Sequence, residues 1–205
     1  MMANGTNALI LLNNIWNKPL SGYAAGATLQ RVQAELQGRL ITISTEGIRA
    51  QLEEKDGRFR CAVEERVESH YMMHIVAAEF VLQVPGAVVP GAKISLYNGG
   101  LIRKKGVRCR ILRPRQEELK QLCAALEQDT AVSTALTGLN FRNCQIEANE
   151  TGWTVKLEPY GGSEVVNRVP AFRRYIRLGS EQVDYLVLAL HALNRVLTGK
   201  KPGKI

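Results

Sequence analysis

The chain has 205 residues, of which 45% are apolar and 22% are charged, and it carries a formal net charge of +8. This size and composition allow one large buried core, or two small fused cores, without support from metals or disulfides. No stretch approaches the ~20 apolar residues of a membrane-spanning helix, and no basic residue precedes the short apolar run at 8–12, which argues against a signal peptide. We therefore predict a globular cytoplasmic protein.

The positive charge is concentrated in one segment of the chain. Residues 93–116 contain eight lysines and arginines and no acidic residue, whereas basic and acidic residues nearly balance in residues 1–92 and 117–205. A local excess of this kind is typical of a surface that faces an anionic partner.

The first predicted unit spans residues 26–114 and follows an N-terminal arm, residues 1–25. It begins with a helix whose apolar residues recur at helical spacing, at Leu29, Val32 and Leu36. Alternating apolar and polar residues on both sides of KDG then predict a β-hairpin, and AAEFVLQV predicts a further strand. The sequence AKISLYNGGLIRKKGVRCRIL adds two short strands, which places the basic segment on a second hairpin.

The second predicted unit spans residues 115–198 and precedes a basic tail, residues 199–205. It begins with another predicted helix, which is followed by a hairpin in which the strands NCQIEA and WTVKLE flank NETG. The stretch AFRRYIRL predicts the last strand of this unit. Residues 183–197 then form a helix that is apolar except for one narrow polar stripe. Such a helix must be largely buried.

The two units share a sequence pattern, because residues 59–85 match residues 153–179 without gaps at an offset of 94. We interpret this match as an internal duplication. The predicted fold class is therefore α+β, with two related helix-plus-antiparallel-sheet halves, joined near residues 113–116 and closed by the buried C-terminal helix. The short connections leave no room for the crossover helices that a parallel sheet requires.

No catalytic motif, cofactor site or metal site is predicted. The four cysteines have no paired spacing, and we interpret Cys61, Cys109, Cys123 and Cys144 as small buried apolar side chains. His70 and His74 would share one face of a helix as metal ligands, but along a strand they lie about 13 Å apart, too far for a single ion. The sequence leaves the conformation of this segment open, and metal binding is the less favoured interpretation.

Arginines alternate with apolar residues in VRCRIL and in AFRRYIRL, so a shared sheet could carry them on one face. We expect the guanidinium groups of the two strands to lie within ~15 Å of each other. The alternative is that glutamates of the first hairpin neutralise them, namely Glu53, Glu54, Glu64, Glu65 and Glu68. The predicted anion-binding residues are Arg103, Lys104, Lys105, Arg108, Arg110, Arg173, Arg177 and Tyr175.

A second candidate site is the polar stretch YGGSEVVNRVP at residues 160–170. Its residues Glu164, Asn167 and Arg168, together with Asn194 of the last helix, could surround a pocket between the C-terminal helix and the sheet. This alternative makes the protein a small-ligand-binding protein or an enzyme.

The stretches AGATLQRVQAEL, MHIVAAEF and VVNRVPAFRRYIRL resemble an uncharacterised family of bacterial cytoplasmic proteins over most of residues 23–197. That family has no assigned activity, so the resemblance implies a bacterial globular protein but assigns no catalytic residue. From the residues, we predict a non-enzymatic binding or adaptor protein that engages nucleic acid or an acidic protein through an arginine-rich sheet face. The pocket alternative, and with it enzymatic activity, stays open, and the sequence does not determine the oligomeric state.

Overall fold

The structure, a computed structural model, describes residues 23–69, 73–99, 106–167 and 172–199. In these ranges the helices are α1 (Ala27–Leu36), α2 (Glu117–Gln128), α3 (Thr130–Leu139) and α4 (Ser180–Leu197). The strands of the first part of the chain are β1 (Leu40–Glu46), β2 (Arg49–Glu54), β3 (Arg60–Ser69), β4 (Met73–Pro85), β5 (Lys93–Asn98) and β6 (Val107–Arg113). Those of the second part are β7 (Phe141–Ala148), β8 (Gly152–Pro159), β9 (Ser163–Asn167) and β10 (Phe172–Ile176).

All ten strands form one sheet in which the main order is β1-β2-β3-β4-β8-β7-β5-β6. The long strand β4 changes its partner along its length, because Phe80–Pro85 pairs with β8 and Met73–Val76 pairs with β9. Strand β9 pairs in turn with β10. Every pairing is antiparallel, which confirms the predicted α+β class.

The core lies between the helices and one face of the sheet, which we call the helix face. Alternate residues of the strands, such as Leu52, Val63 and Phe80, are buried there against α1 and α4. The opposite face, which we call the open face, carries mostly polar and charged side chains. The apolar side of helix α4 packs into this core, as predicted. Its buried residues include Val183, Leu186, Ala189, Leu190 and Leu193. Neither α4 nor another helix within the described ranges is long and apolar enough to cross a membrane.

The internal duplication is not confirmed. Strand β3 lies between β2 and β4, whereas β8 and β9 both have β4 on one side and have β7 and β10, respectively, on the other. The two predicted units, residues 26–114 and 115–198, also share a single sheet, because β5 pairs with β6 on one side and with β7 on the other.

Two of the cysteines correct the sequence interpretation. Cys109 of β6 and Cys123 of α2 form a disulfide, with their Cα atoms 5.4 Å apart. They are 14 positions apart in the sequence, so only the return of α2 against β6 brings them together. Cys61 and Cys144 are free and buried, as predicted, and burial raises the pKa of each thiol to about 12.

Candidate anion-binding edge

The structure does not bring the predicted arginines onto one surface. Strand β6 is joined to β4 through β5, β7 and β8, whereas β10 is joined to β4 through β9 alone. The strand registers place Arg108 and Arg110 on the open face, and Arg173 and Tyr175 on the helix face. The common surface of four arginines is therefore not formed.

The residues of β10, and Arg177 just after it, instead contact the buried Glu164 and the half-buried Glu35. Glu164, only 2% exposed, accepts hydrogen bonds from Arg173 Nε at 2.5 Å and Nη2 at 2.7 Å. Glu35 of α1 accepts from the Tyr175 hydroxyl at 2.8 Å and from Arg177 Nε at 3.3 Å. Burial and the Glu35 carboxylate raise the pKa of Tyr175. The Glu164 contacts join β10 to β9, and the Glu35 contacts join α1 to β10 and to the residue after it, so these side chains have a structural role.

The neutralising acids are not those that the sequence alternative named. In the described residues the glutamates that pair with Arg173 and Arg177 are Glu164 and Glu35. Glu53 and Glu64 pair with Arg60 and Arg49, their direct cross-strand neighbours. The open face of β2 and β3 thus carries closely matched charges of both signs.

A basic surface does remain at the β5–β6 hairpin. The guanidinium carbon of Arg110 lies 5.2 Å from the centre of the Tyr97 ring, and this ring is 40% exposed. Arg108 lies directly opposite Tyr97 in the strand register, and Arg113 and Arg115 follow at the end of β6 and just beyond it. We call Tyr97, Arg108, Arg110, Arg113 and Arg115 the basic edge.

The basic edge has an unusual share of unpaired charge. Within the described ranges, most lysines and arginines have a carboxylate within 4.0 Å, and Arg108 itself lies 3.5 Å from Glu127. The described side chains that lack one are Lys55, Arg110, Arg113, Arg115 and Arg174. Three of these five belong to the basic edge. The predicted residues Arg103, Lys104 and Lys105 lie outside the described residues.

The residues of the alternative pocket are not gathered in one place. Glu164 faces α1, while Asn167, three residues later on the same strand, lies on the open face. Gly161 lies beside Gln182 at the start of α4, and Asn194 is twelve residues further along this helix, which corresponds to about 18 Å. Arg168 lies outside the described residues.

The histidine segment belongs to a strand where it is described. His74 lies on β4 and is buried, and His70 falls outside the described residues. No group of three His, Cys, Asp or Glu side chains in the described ranges is arranged to hold a metal ion.

One polar cluster was missed by the sequence analysis. It lies on the open face where β4 changes partner, and it contains the buried side chains Glu79 and Glu158. Arg66 Nη1 lies 2.5 Å from Glu79, and Arg142 Nε lies 2.5 Å from Glu158. Burial raises the pKa of Glu158, although Arg142 opposes the shift. Arg142 is the extra residue of a bulge in β7, a feature that no local sequence signal marks.

A sequence model of the family described as "Protein of unknown function (DUF3156)" matches residues 34–197. The chain belongs to this family. The match includes all ten described strands and α2, α3 and α4, so the DUF3156 region contains both the basic edge and the polar cluster. No curated protein and no solved structure matches the chain.

Proposed function

We propose that this protein is a non-enzymatic binding protein that engages an anionic partner through the basic edge. The observation that carries the proposal is that Arg110, Arg113 and Arg115 lack a carboxylate partner among the described residues, although most other described arginines have one. Exposed guanidinium groups bind phosphate and carboxylate in a bidentate manner.

The surroundings of the basic edge support this proposal. Residues 93–116 contain no acidic residue, so compensation must come from other elements. Glu127 of α2 approaches Arg108, and Glu147 of β7 lies 2.6 Å from Lys93. Neither carboxylate forms an ion pair with Arg110, Arg113 or Arg115. An anionic partner would relieve the repulsion between these neighbouring positive charges.

The proposal is tested by retention on a heparin column, with the eluting salt concentration as the readout. The double variant Arg110→Ser/Arg113→Ser should elute at clearly lower salt than the wild type, because two arginine contacts to the sulfate groups of heparin are lost. The matched control is Lys55→Ser/Arg174→Ser, which removes two unpaired positive charges elsewhere on the surface and should elute close to the wild type. Equal shifts in the two variants would show that only net charge matters and would contradict the proposal.

A further inference from the structure

Resting on the proposed binding function, we infer that the anionic partner is a single-stranded nucleic acid and that its bases stack at Tyr97. Tyr97 is exposed on the open face and is flanked by Arg108, its direct cross-strand neighbour, and by Arg110, whose guanidinium lies over the ring. Proteins bind single strands by combining aromatic rings, on which bases stack, with basic groups that follow the phosphates. Bases also stack on arginine planes.

The open face next to Tyr97 carries neutral hydrogen-bonding groups. Ser95 lies between Arg110 of β6 and Gln145 of β7 in the strand register, so the three side chains form one row. Asn143 lies two residues from Gln145 and shares its face. All three neutral side chains are partly exposed. Amides and hydroxyls of this kind can hydrogen-bond to the edges of unstacked bases.

An acidic protein fits this surface less well. Carboxylates would pair with the arginines, but acidic side chains have no ring that could stack on Tyr97. Protein interfaces also need a closely packed apolar centre, and the exposed apolar side chain that β6 offers is Leu112. A duplex fits less well too, because its major groove accepts a helix or a two-stranded ribbon, whereas this surface is one face of a many-stranded sheet.

Fluorescence polarisation at about 50 mM salt can test this inference with three labelled probes. The probes are a 20-nucleotide thymidine strand, an abasic strand of the same length and a polyglutamate peptide of the same charge. The thymidine strand should bind roughly fivefold or more tightly than the abasic strand, because stacking of even one base contributes that much. Affinity for both strands should fall with salt.

The variant Tyr97→Ala should abolish the preference for the thymidine strand, so that the thymidine and abasic strands bind with equal affinity. Tyr160→Ala is the matched control, because Tyr160 is similarly exposed but lies between β8 and β9. Thermal unfolding of both variants checks that they fold. If either does not fold, the comparison of the thymidine and abasic strands on the wild type still tests whether bases contribute to binding.

The outcomes separate the two proposals. Equal affinity for the thymidine and abasic strands, or preference for polyglutamate, would overturn the nucleic-acid inference and leave the proposed binding function intact. Absence of binding to all three probes would overturn both. Loss of thymidine preference in Tyr160→Ala but not in Tyr97→Ala would move the stacking site away from the basic edge and overturn the assignment of Tyr97.

Discussion

The N-terminus of α1 depends on a glutamate from the sheet, and this contact gives a sharp stability prediction. The capping position of α1 is Gly26, at φ 81, which has no side chain to accept a hydrogen bond. Glu65 of β3, 3% exposed, replaces a local cap. Its Oε1 accepts from the Gly26 amide at 3.1 Å and from the Tyr23 hydroxyl at 2.6 Å, and its Oε2 accepts from the Leu29 amide at 3.0 Å.

The substitution Glu65→Gln keeps the shape of the side chain but turns one of these oxygens into a donor. One charge-assisted hydrogen bond, worth about 1.5–3 kcal/mol, is then replaced by two donors facing each other. Loss of the negative charge at the helix N-terminus costs about 0.3–1 kcal/mol more. We therefore expect the free energy of unfolding to fall by about 2–4 kcal/mol.

Urea denaturation at neutral pH measures this difference. Glu64→Gln is the matched control, because Glu64 is the adjacent residue on the open face and is paired with a largely exposed Arg49. Exposed pairs contribute little, so this control should lose less than about 1 kcal/mol. The reasoning is refuted if Glu65→Gln loses no more than Glu64→Gln.

Two further predictions concern the disulfide and the buried Glu158. Reduction of Cys109–Cys123 should lower the free energy of unfolding by about 3 kcal/mol, because the bond joins residues 14 positions apart and so closes a short loop. In urea denaturation a reductant should have no effect on Cys123→Ser. Because the folded-state pKa of Glu158 is raised, its ionisation destabilises the fold as pH rises above the usual value of 4.5. The free energy of unfolding of Glu158→Gln minus that of the wild type should therefore increase as the pH rises above 4.5. A difference that stays constant or falls would contradict a raised pKa for Glu158.

Local features of the fold were accessible from the sequence because they depend on neighbouring residues. The hairpin around KDG appears as β2 and β3, and the hairpin around NETG appears as β7 and β8. The apolar C-terminal helix is buried as its composition requires. The partner change of β4 and the pairing of β5 with β7 depend on contacts between distant segments, and no local pattern reports them.

Strand β10 shows what the alternation of apolar and polar residues cannot predict. The pattern correctly places Arg173 and Tyr175 on one face of the strand, since side chains alternate with a period of two. It does not say which face of the sheet is covered. In the structure α1 lies on the side of the sheet that carries both residues, and Glu164 of β9 and Glu35 of α1 accept hydrogen bonds from Arg173 and Tyr175, respectively. Arginines that face a partner and arginines that pair with glutamates of the same chain have the same sequence pattern.

A comparison of the edge strands β1 and β6 supports a binding role for the basic edge. Natural sheets often carry charges on edge strands simply to prevent pairing with other chains. Strand β1, at the opposite end, has no charged residue from Leu40 to Thr45 and exposes Ile41 and Ile43, and it is irregular only through a bulge. The outer edge of β6 is already covered by α2, because Glu127 accepts from the Cys109 amide at 2.7 Å and the disulfide holds the helix in place. Of these two edge strands β6 therefore needs protection less than β1, which favours a partner over protection as the reason for its arginines.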